Sequence, residues 1–421
     1  MGDFPNLLNP QSLQKFKNPI YYFPKICIVL LIIIIATIIS ICGYIKIKHR
    51  FWSVQPCFHI YDLQWYLFPC GIINYQLPEK NRYTNFTNVE TTEYAKLSNL
   101  KLQQFANFIR PNYLKNGDNY YHPKLKENIV PYFTGHNTKC FVSFYYEDEL
   151  LSLDTKTIQN KKIVGVLTTR PVHILFTKTK NQMDAYYVDY LCVDKSRRHK
   201  NIAPELIQTH HYNQRQLKKD IHVSLFKREG ELSLLVPLCI YKTICFDMTQ
   251  WTRPSDLLPF VSLIEVGKTN IHHLFDFFKD YNHVHFDLCI MTDLANILEL
   301  INTRNIYIYM IIKEGEVMAV YIFRNNCVSL KKGTECLSLI ASVNNCKNKE
   351  LFAHGYKVAL WKLWESNHAF KCAVIEEISD NYIIADNLLE KSMPILTSPT
   401  AYYFYNFAYS TFNSKKALIV V

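Results

Sequence analysis

Residues 188–204 read Val-Asp-Tyr-Leu-Cys-Val-Asp-Lys-Ser-Arg-Arg-His-Lys-Asn-Ile-Ala-Pro. The apolar run from Tyr186 to Val193 predicts a strand that feeds a basic loop. The loop then opens a helix at Ala203-Pro204, with Pro204 expected at the first helical position, where a missing N–H costs nothing. A helix N-terminus turns unpaired backbone N–H groups outward and carries partial positive charge. Lys195, Arg197, Arg198 and Lys200 add four full charges at the same place. A basic strand–helix junction is often no more than a solvated turn. This one also has the chemistry of a polyanion site suited to a pyrophosphate.

Working outward, strand and helix patterns alternate. The first half has a helix near Asn99–Phe108, strands at Cys140–Tyr146, Lys162–Leu167 and Ala185–Val193, and a helix over Ala203–Lys219. Strands at His222–Phe226 and Leu234–Tyr241 follow. The second half has a strand at Phe260–Val266, a helix at Ile271–Asp280 and strand Ile306–Ile312, which ends in a Glu314-Gly315 turn. Strands Val317–Phe323 and Cys336–Val343, helix Glu350–Glu365 and strands Cys372–Ile378 and Tyr402–Phe407 come after it. Such alternation predicts an α/β fold, and the hairpins predict a mixed sheet. No linker separates the halves, so they are expected to share one sheet.

Ile26–Ile45 is twenty residues without a charge, flanked by Lys25 and by Lys46, Lys48 and Arg50. At a rise of about 1.5 Å per residue it spans a bilayer core of ~30 Å. It is expected to be a single transmembrane anchor; the flanking cations tie, so they set no orientation. The expected organisation is a tail (1–24), an anchor (25–47) and two halves (48–258 and 259–421).

The chain has 421 residues, 49% of them hydrophobic, and a net charge of +11. That charge favours anionic partners, but no nucleic-acid motif accompanies it. The thirteen cysteines show no Cys-x-x-Cys pair and no zinc spacing, as expected of buried, reduced thiols facing the cytosol. The sequon Asn85-Phe86-Thr87 would argue for the opposite side if glycosylated. Met1-Gly2 begins like a myristoylation acceptor, yet Asn6 stands where Ser or Thr is needed. Abundant Asn, Lys and Ile with only eleven Gly suggest an AT-rich genome, such as that of a protist or a large DNA virus. No nucleophile elbow or phosphate-loop motif is present. His210-His211, His272-His273 and His283-x-His285 are expected as surface or cap histidines, and Trp361 and Trp364 as core.

The spacing Arg198-x-x-Asn201-x-Ala203 resembles the Arg-x-x-Gly-x-Gly/Ala loop of acyl-CoA N-acetyltransferase-like folds, with Asn201 in place of the first glycine. The whole string, Leu-Cys-Val-x-Lys-x-x-Arg-x-Lys-x-x-Ala-Pro, resembles that of the eukaryotic glycylpeptide N-tetradecanoyltransferases, the N-myristoyltransferases. Other segments follow the family's order. Phe51-Trp52-Ser53-Val54-Gln55-Pro56 resembles Phe-Trp-x-Thr-Gln-Pro, although Phe-Trp beside an anchor also fits an interfacial aromatic belt. Asn112-Tyr113-Leu114 with Asp118-Asn119 resembles the Asn-Tyr-Val loop over the peptide groove. Gly165-Val166 through Pro171-Val172-His173-Ile174 resembles a strand pair of the family. Gly315-Glu316-Val317 stands at its second-half hairpin, and Tyr402-Tyr403-Phe404-Tyr405-Asn406-Phe407 resembles Tyr-Tyr-Leu-Tyr-Asn-Trp.

The resemblance implies two fused acyl-CoA N-acetyltransferase-like units sharing a mixed sheet, and the transmembrane helix read from Ile26–Ile45 would precede them. It implies acyl-CoA, in the form of myristoyl-CoA, as donor substrate and no permanently bound cofactor. The donor would be held by Phe51, Trp52, Leu191, Cys192, Val193, Lys195, Arg198, Lys200, Asn201, Ile202, Ala203 and Pro204. The backbone N–H groups of Tyr190 and Leu191 would form an oxyanion hole, and the α-carboxylate of Val421, after the apolar Ala417–Val420, would be the base. The further partner the resemblance implies is a peptide or protein amine as acceptor, and the anchor adds a membrane.

Acceptor-side features depart from the family. Lys227-Arg228-Glu229 stands where Thr-Ala-Gly is expected, Leu396-Thr397-Ser398 where Gly-Asp-Gly is, and Lys115-Asn116-Gly117 replaces the acidic peptide-facing loop. Two readings follow: an active acyltransferase with a different acceptor, or an acyltransferase fold kept as a structural or binding module at a membrane, a viral particle's included.

Overall fold

The computed structural model describes residues 19–68, 71–114, 119–153, 156–230, 234–331 and 333–421. Residues 1–18 of the expected tail and the Lys115-Asn116-Gly117 substitution lie outside the described residues, and α1 takes in 19–24 of that tail. The chain divides into two compact units at Gln55/Pro56.

The first unit carries helix α1 (Pro19–Lys48). From Pro24 to Lys48 this helix is long and apolar enough to cross a membrane. The Thr37 and Ser40 hydroxyls fold back onto the carbonyls four residues earlier, both at 2.8 Å, which hides them from an apolar surround.

The second unit opens with α2 (Gln64–Leu67), β1 (Gly71–Ile72), β2 (Val89–Glu93), α3 (Asn99–Asn112) and β3 (Tyr120–Tyr121). Strands β4 (Phe141–Leu153), β5 (Lys156–Phe176) and β6 (Asn181–Val193) lead to α4 (Ile202–Leu217), β7 (Val223–Glu229) and β8 (Cys239–Asp247). Then come β9 (Val261–Glu265), α5 (Ile271–His285), β10 (Leu288–Met291), α6 (Leu294–Asn302), β11 (Ile306–Lys313), β12 (Glu316–Lys331) and β13 (Thr334–Asn344). Helix α7 (Lys349–Ser366), β14 (Phe370–Glu376), α8 (Asn381–Leu389), β15 (Leu396–Tyr405), β16 (Phe407–Ala408) and β17 (Ala417–Val420) follow.

Local chemistry explains many boundaries. Ser98 accepts the Lys101 N–H to start α3, and Asn348 accepts from Glu350 and Leu351 to start α7, as N-caps do. Glu314 and Gly315 both have positive φ (53° and 86°), the two-residue turn that suits the twist of a hairpin. The β8 strand lies later than the expected Leu234–Tyr241, and β10, α6 and α8 had no expected counterpart.

Both halves repeat one motif. In the first, β6 runs through α4 to the parallel strand β7; in the second, β13 runs through α7 to the parallel strand β14. The main sheet has the order β17-β10-β5-β6-β7-β15-β8-β14-β13-β12-β11-β9. The outer neighbour of β7 is therefore β15, and that of β14 is β8. Each half lends the other the strand that follows its own crossover. The shared mixed sheet is thus present, built by exchange rather than by edge contact.

Candidate functional site

The pairing of β6 with β7 stops early. It covers only Ala185–Val188 against Val223–Phe226, so residues 189–193 run on without β7 beside them. The same stretch bulges against β5: Leu167 faces Leu191, but Thr169 faces Val188, so Asp189 and Tyr190 together oppose Thr168. A bulge re-aims the groups it carries.

Beyond β6, the Asp194 side chain accepts the Ser196 N–H at 2.8 Å and starts a single turn over Lys195–Arg197. Asn201 then adopts the left-handed conformation (φ 62°). Glycine is favoured there, and asparagine is among the side chains that tolerate it best, which accounts for Asn201 at a glycine position. Its side chain does not cap α4, so the N–H groups of Ile202 and Ala203 have no intrahelical acceptor. Pro204 is the third helical residue, not the first as expected; the N–H it lacks is still one the helix would leave unpaired. Lys195, Arg198 and Lys200 are exposed. Arg197 is engaged by Glu147 at 2.7 Å, and Arg198 Nη2 donates to the Asn112 carbonyl at 3.4 Å. Cys192 is buried, which pushes its thiol up to about 12.

Helix α4 lies close on the sheet. A Cβ on Gly165 would stand 3.1 Å from Ile202 and 3.2 Å from Tyr145. Ile202 and Leu206 pack with Tyr145, Val164 and Leu167. Further along, His210 bridges Ser143 on β4 (2.8 Å) and Thr169 on β5 (3.0 Å). His210 and His211 are both buried, correcting their expected surface placement. Burial lowers them to about 4 and about 3. His272 and His273 are exposed as expected. Trp361 and Trp364 are both half-buried; Trp364 packs against the core of the second half and Trp361 lies against Trp364.

At the bulge, the Tyr190 N–H donates to Thr168 Oγ1 at 3.1 Å. The Tyr190 hydroxyl shares a hydrogen bond of 2.8 Å with Tyr121, and the Tyr113 hydroxyl donates to the Asp189 carbonyl at 3.0 Å. Leu191 is exposed. Strand β17 is buried throughout and lies parallel to β10, with Val420 opposite Met291. Val421, itself 3% exposed, packs in the same cluster as Val172, Tyr187 and Tyr402.

A buried polar centre lies next to these elements. Arg170 on β5 donates to Asp189 at 2.8 Å and lies against the rings of Tyr132 and Tyr187. Burial holds the Asp189 carboxyl above its usual range, although Arg170 opposes that shift. Lys227 pairs with Glu376 at 2.9 Å, and Tyr241 donates to the same carboxylate at 2.6 Å. Lys227 on β7 is therefore held by a strand of the other half. Sequence reasoning missed Arg170, Asp189 and Glu376; a lone arginine in the otherwise uncharged run Val164–Ile174 was the available signal. Phe51 and Trp52 lie in the first unit, in edge-to-face contact at 5.1 Å between ring centroids.

Residues 74–239 match the family described as myristoyl-CoA:protein N-myristoyltransferase, N-terminal domain. No curated protein matches the sequence significantly. The fold matches a crystal structure of Saccharomyces cerevisiae N-myristoyltransferase with bound myristoyl-CoA at 15% identity and a TM-score of 0.68, covering 89% of this chain and 99% of the yeast chain. A second structure of the yeast enzyme, with bound myristoyl-CoA and inhibitors, matches at 14% identity and a TM-score of 0.67, covering 91% and 99%. The chain thus resembles the N-myristoyltransferases, divergently in sequence and nearly end to end in fold.

Proposed function

We propose that the protein is a membrane-anchored acyltransferase that moves a long-chain acyl group, myristoyl first among them, from CoA to an amine. The observation that carries this reading is the loop after β6. There a left-handed Asn201, an uncapped helix N-terminus and three exposed cations converge beside a strand edge that β7 has left. Arg198 and Lys200 would hold CoA phosphates as charge-assisted contacts. The Tyr190 and Leu191 N–H groups would polarise the thioester carbonyl, with the thioester oxygen replacing the Thr168 hydroxyl as acceptor from Tyr190. The α-carboxylate of Val421, at the end of buried β17, would take the proton that the attacking amine loses.

A cytosolic placement of the main unit fits the donor's compartment and ten buried free thiols among the described residues. The sequon fits it too, because Asn85 Nδ2 donates to Glu205 at 2.6 Å and would lose that contact on glycosylation. A second reading, a donor-binding module without turnover, is favoured by one observation: the Lys227–Glu376 pair at the acceptor position.

The test uses the full chain in detergent micelles with myristoyl-CoA and a glycine-terminated peptide, reading donor affinity and thiol release. Arg198→Ala with Lys200→Ala should weaken donor binding by about 1–3 kcal/mol per contact, and less as salt rises. Unchanged affinity in the double variant would sink the donor-site assignment. Binding without thiol release would leave the module.

A further inference from the structure

A cavity of about 360 Å³ lies on the second half, between α7, the turn after α8 and the segment that leaves β8. That is the compact end of the ~300–1,000 Å³ typical of small-molecule sites. Helix α7 presents His354, Lys357 and Trp361 to it, at spacings that keep all three on one helix face. The turn after α8 adds Lys391, and the segment after β8 adds Trp251 and Arg253. That segment is set in place. The Asp247 side chain accepts the Thr249 N–H at 2.9 Å, the Trp251 N–H returns to the Met248 carbonyl at 3.0 Å, and the Trp251 ring packs on the core of the second half.

Arg253, Lys357 and Lys391 line the cavity, and no Asp or Glu does among the described residues. Arg253 reaches Asp256 only at 4.0 Å and in the open, and Glu365 is engaged by the Trp361 indole N–H at 2.9 Å. Lys357 is half-buried and donates to Asn387 Oδ1 at 2.9 Å, which fixes its ammonium. Burial and the neighbouring Lys391 hold that ammonium below its usual range. Two like charges brought together in a part-buried site disfavour each other, and an anion between them would reverse that cost. Ammonium groups are point charges that suit a phosphate approached from several sides. The apolar floor of Met248, Leu360 and Leu388, with the two indoles, suits a flat ring. We propose that this cavity binds a phosphomonoester carried on a planar ring, of mononucleotide size, with the phosphate between Lys357 and Lys391 and the ring against Trp251 and Trp361. It is separate from the donor loop, whose cations precede α4, and it does not rest on the acyl-transfer reading.

The test uses the full chain in detergent, with the donor loop saturated by the non-hydrolysable thioether analogue of myristoyl-CoA. Labelled AMP is brought to equilibrium by dialysis, and ribose 5-phosphate, adenosine and inorganic phosphate compete with it. One equivalent of AMP per chain is expected, with each competitor at least about tenfold weaker. Lys391→Met changes an exposed residue and leaves the Lys357–Asn387 bond in place. It should weaken AMP about tenfold or more without lowering the unfolding temperature of the free protein. Arg198→Ala with Lys200→Ala should leave AMP affinity within about twofold, so failure of the donor assignment would not touch this one. No bound AMP, or equal affinity in Lys391→Met, overturns the proposal. Displacement of AMP by the thioether assigns the nucleotide to the donor loop and overturns it too. Ribose 5-phosphate or phosphate competing as well as AMP refutes the ring, and adenosine competing as well refutes the phosphate.

Discussion

Lowering the pH from about 7.5 to about 4.5 should loosen α4 through one imidazole. His210 is buried between α4 and the sheet, with its ring nitrogens engaged by Ser143, Thr169 and Gln214. Burial lowers it from 6.5 to about 4. A base whose folded pKa is depressed binds fewer protons folded than unfolded, so the stability tied to its neutral form is complete above pH 6.5 and is lost as pH falls from there toward 4. The difference corresponds to roughly 3 kcal/mol in full, of which about 2.5 kcal/mol is lost by pH ~4.5. His211, lowered to about 3 by burial and by Arg215, adds to the same acid loss, so the term is isolated by comparing wild type with His210→Gln. Urea unfolding of the detergent-solubilised chain at both pH values measures it. The wild type should lose about 2 kcal/mol more than the variant on acidification. An equal loss in both would refute the assignment of His210 as a neutral, folded-state imidazole. The donor loop begins α4, so donor affinity should weaken over the same pH range in wild type and less in the variant.

Asn201→Val places a β-branched residue at φ 62° and should cost about 1–2 kcal/mol in thermal unfolding together with donor affinity, whereas Asn201→Gly should be near neutral. Gly355→Ala on α7 would drive a Cβ into Ile311 Cδ1 and to 2.6 Å from the Tyr321 hydroxyl. An overpacking loss of about 1–3 kcal/mol is expected in the same assay. Appending a charged tail after Val421 should abolish thiol release while the donor still binds, since Val421 is buried beside β10; an active tagged protein would remove Val421 as the base.

The local geometry of the proposed donor loop was legible because it depends on the backbone. A strand, a turn and a helix start, with cations between, are written in seventeen adjacent residues, and Asn201 only needed its left-handed φ to explain itself. The buried ion pairs beside it were not legible. Arg170 meets Asp189 across two strands, and Lys227 on β7 meets Glu376 on β14. No spacing rule reaches such partners, because tertiary pairing fixes them. The histidines failed for a related reason: His210 lies on an ordinary helix, and only the sheet beneath makes it buried. The β17–β10 pairing shows the same limit, joining two short apolar segments more than a hundred residues apart that nothing local distinguishes from loop and tail.

The exchange of β8 and β15 bears on how the chain can be made and broken. During synthesis β8 emerges long before its neighbour β14 and must wait with an unpaired edge, while β7 waits for β15. Such non-local closure slows folding and exposes strand edges to aggregation. Severing the polypeptide between β8 and β9 would strip each fragment of a neighbour rather than release two autonomous pieces. The halves should therefore melt as a single cooperative body, and a nick in that connection should be tolerated only after folding is complete.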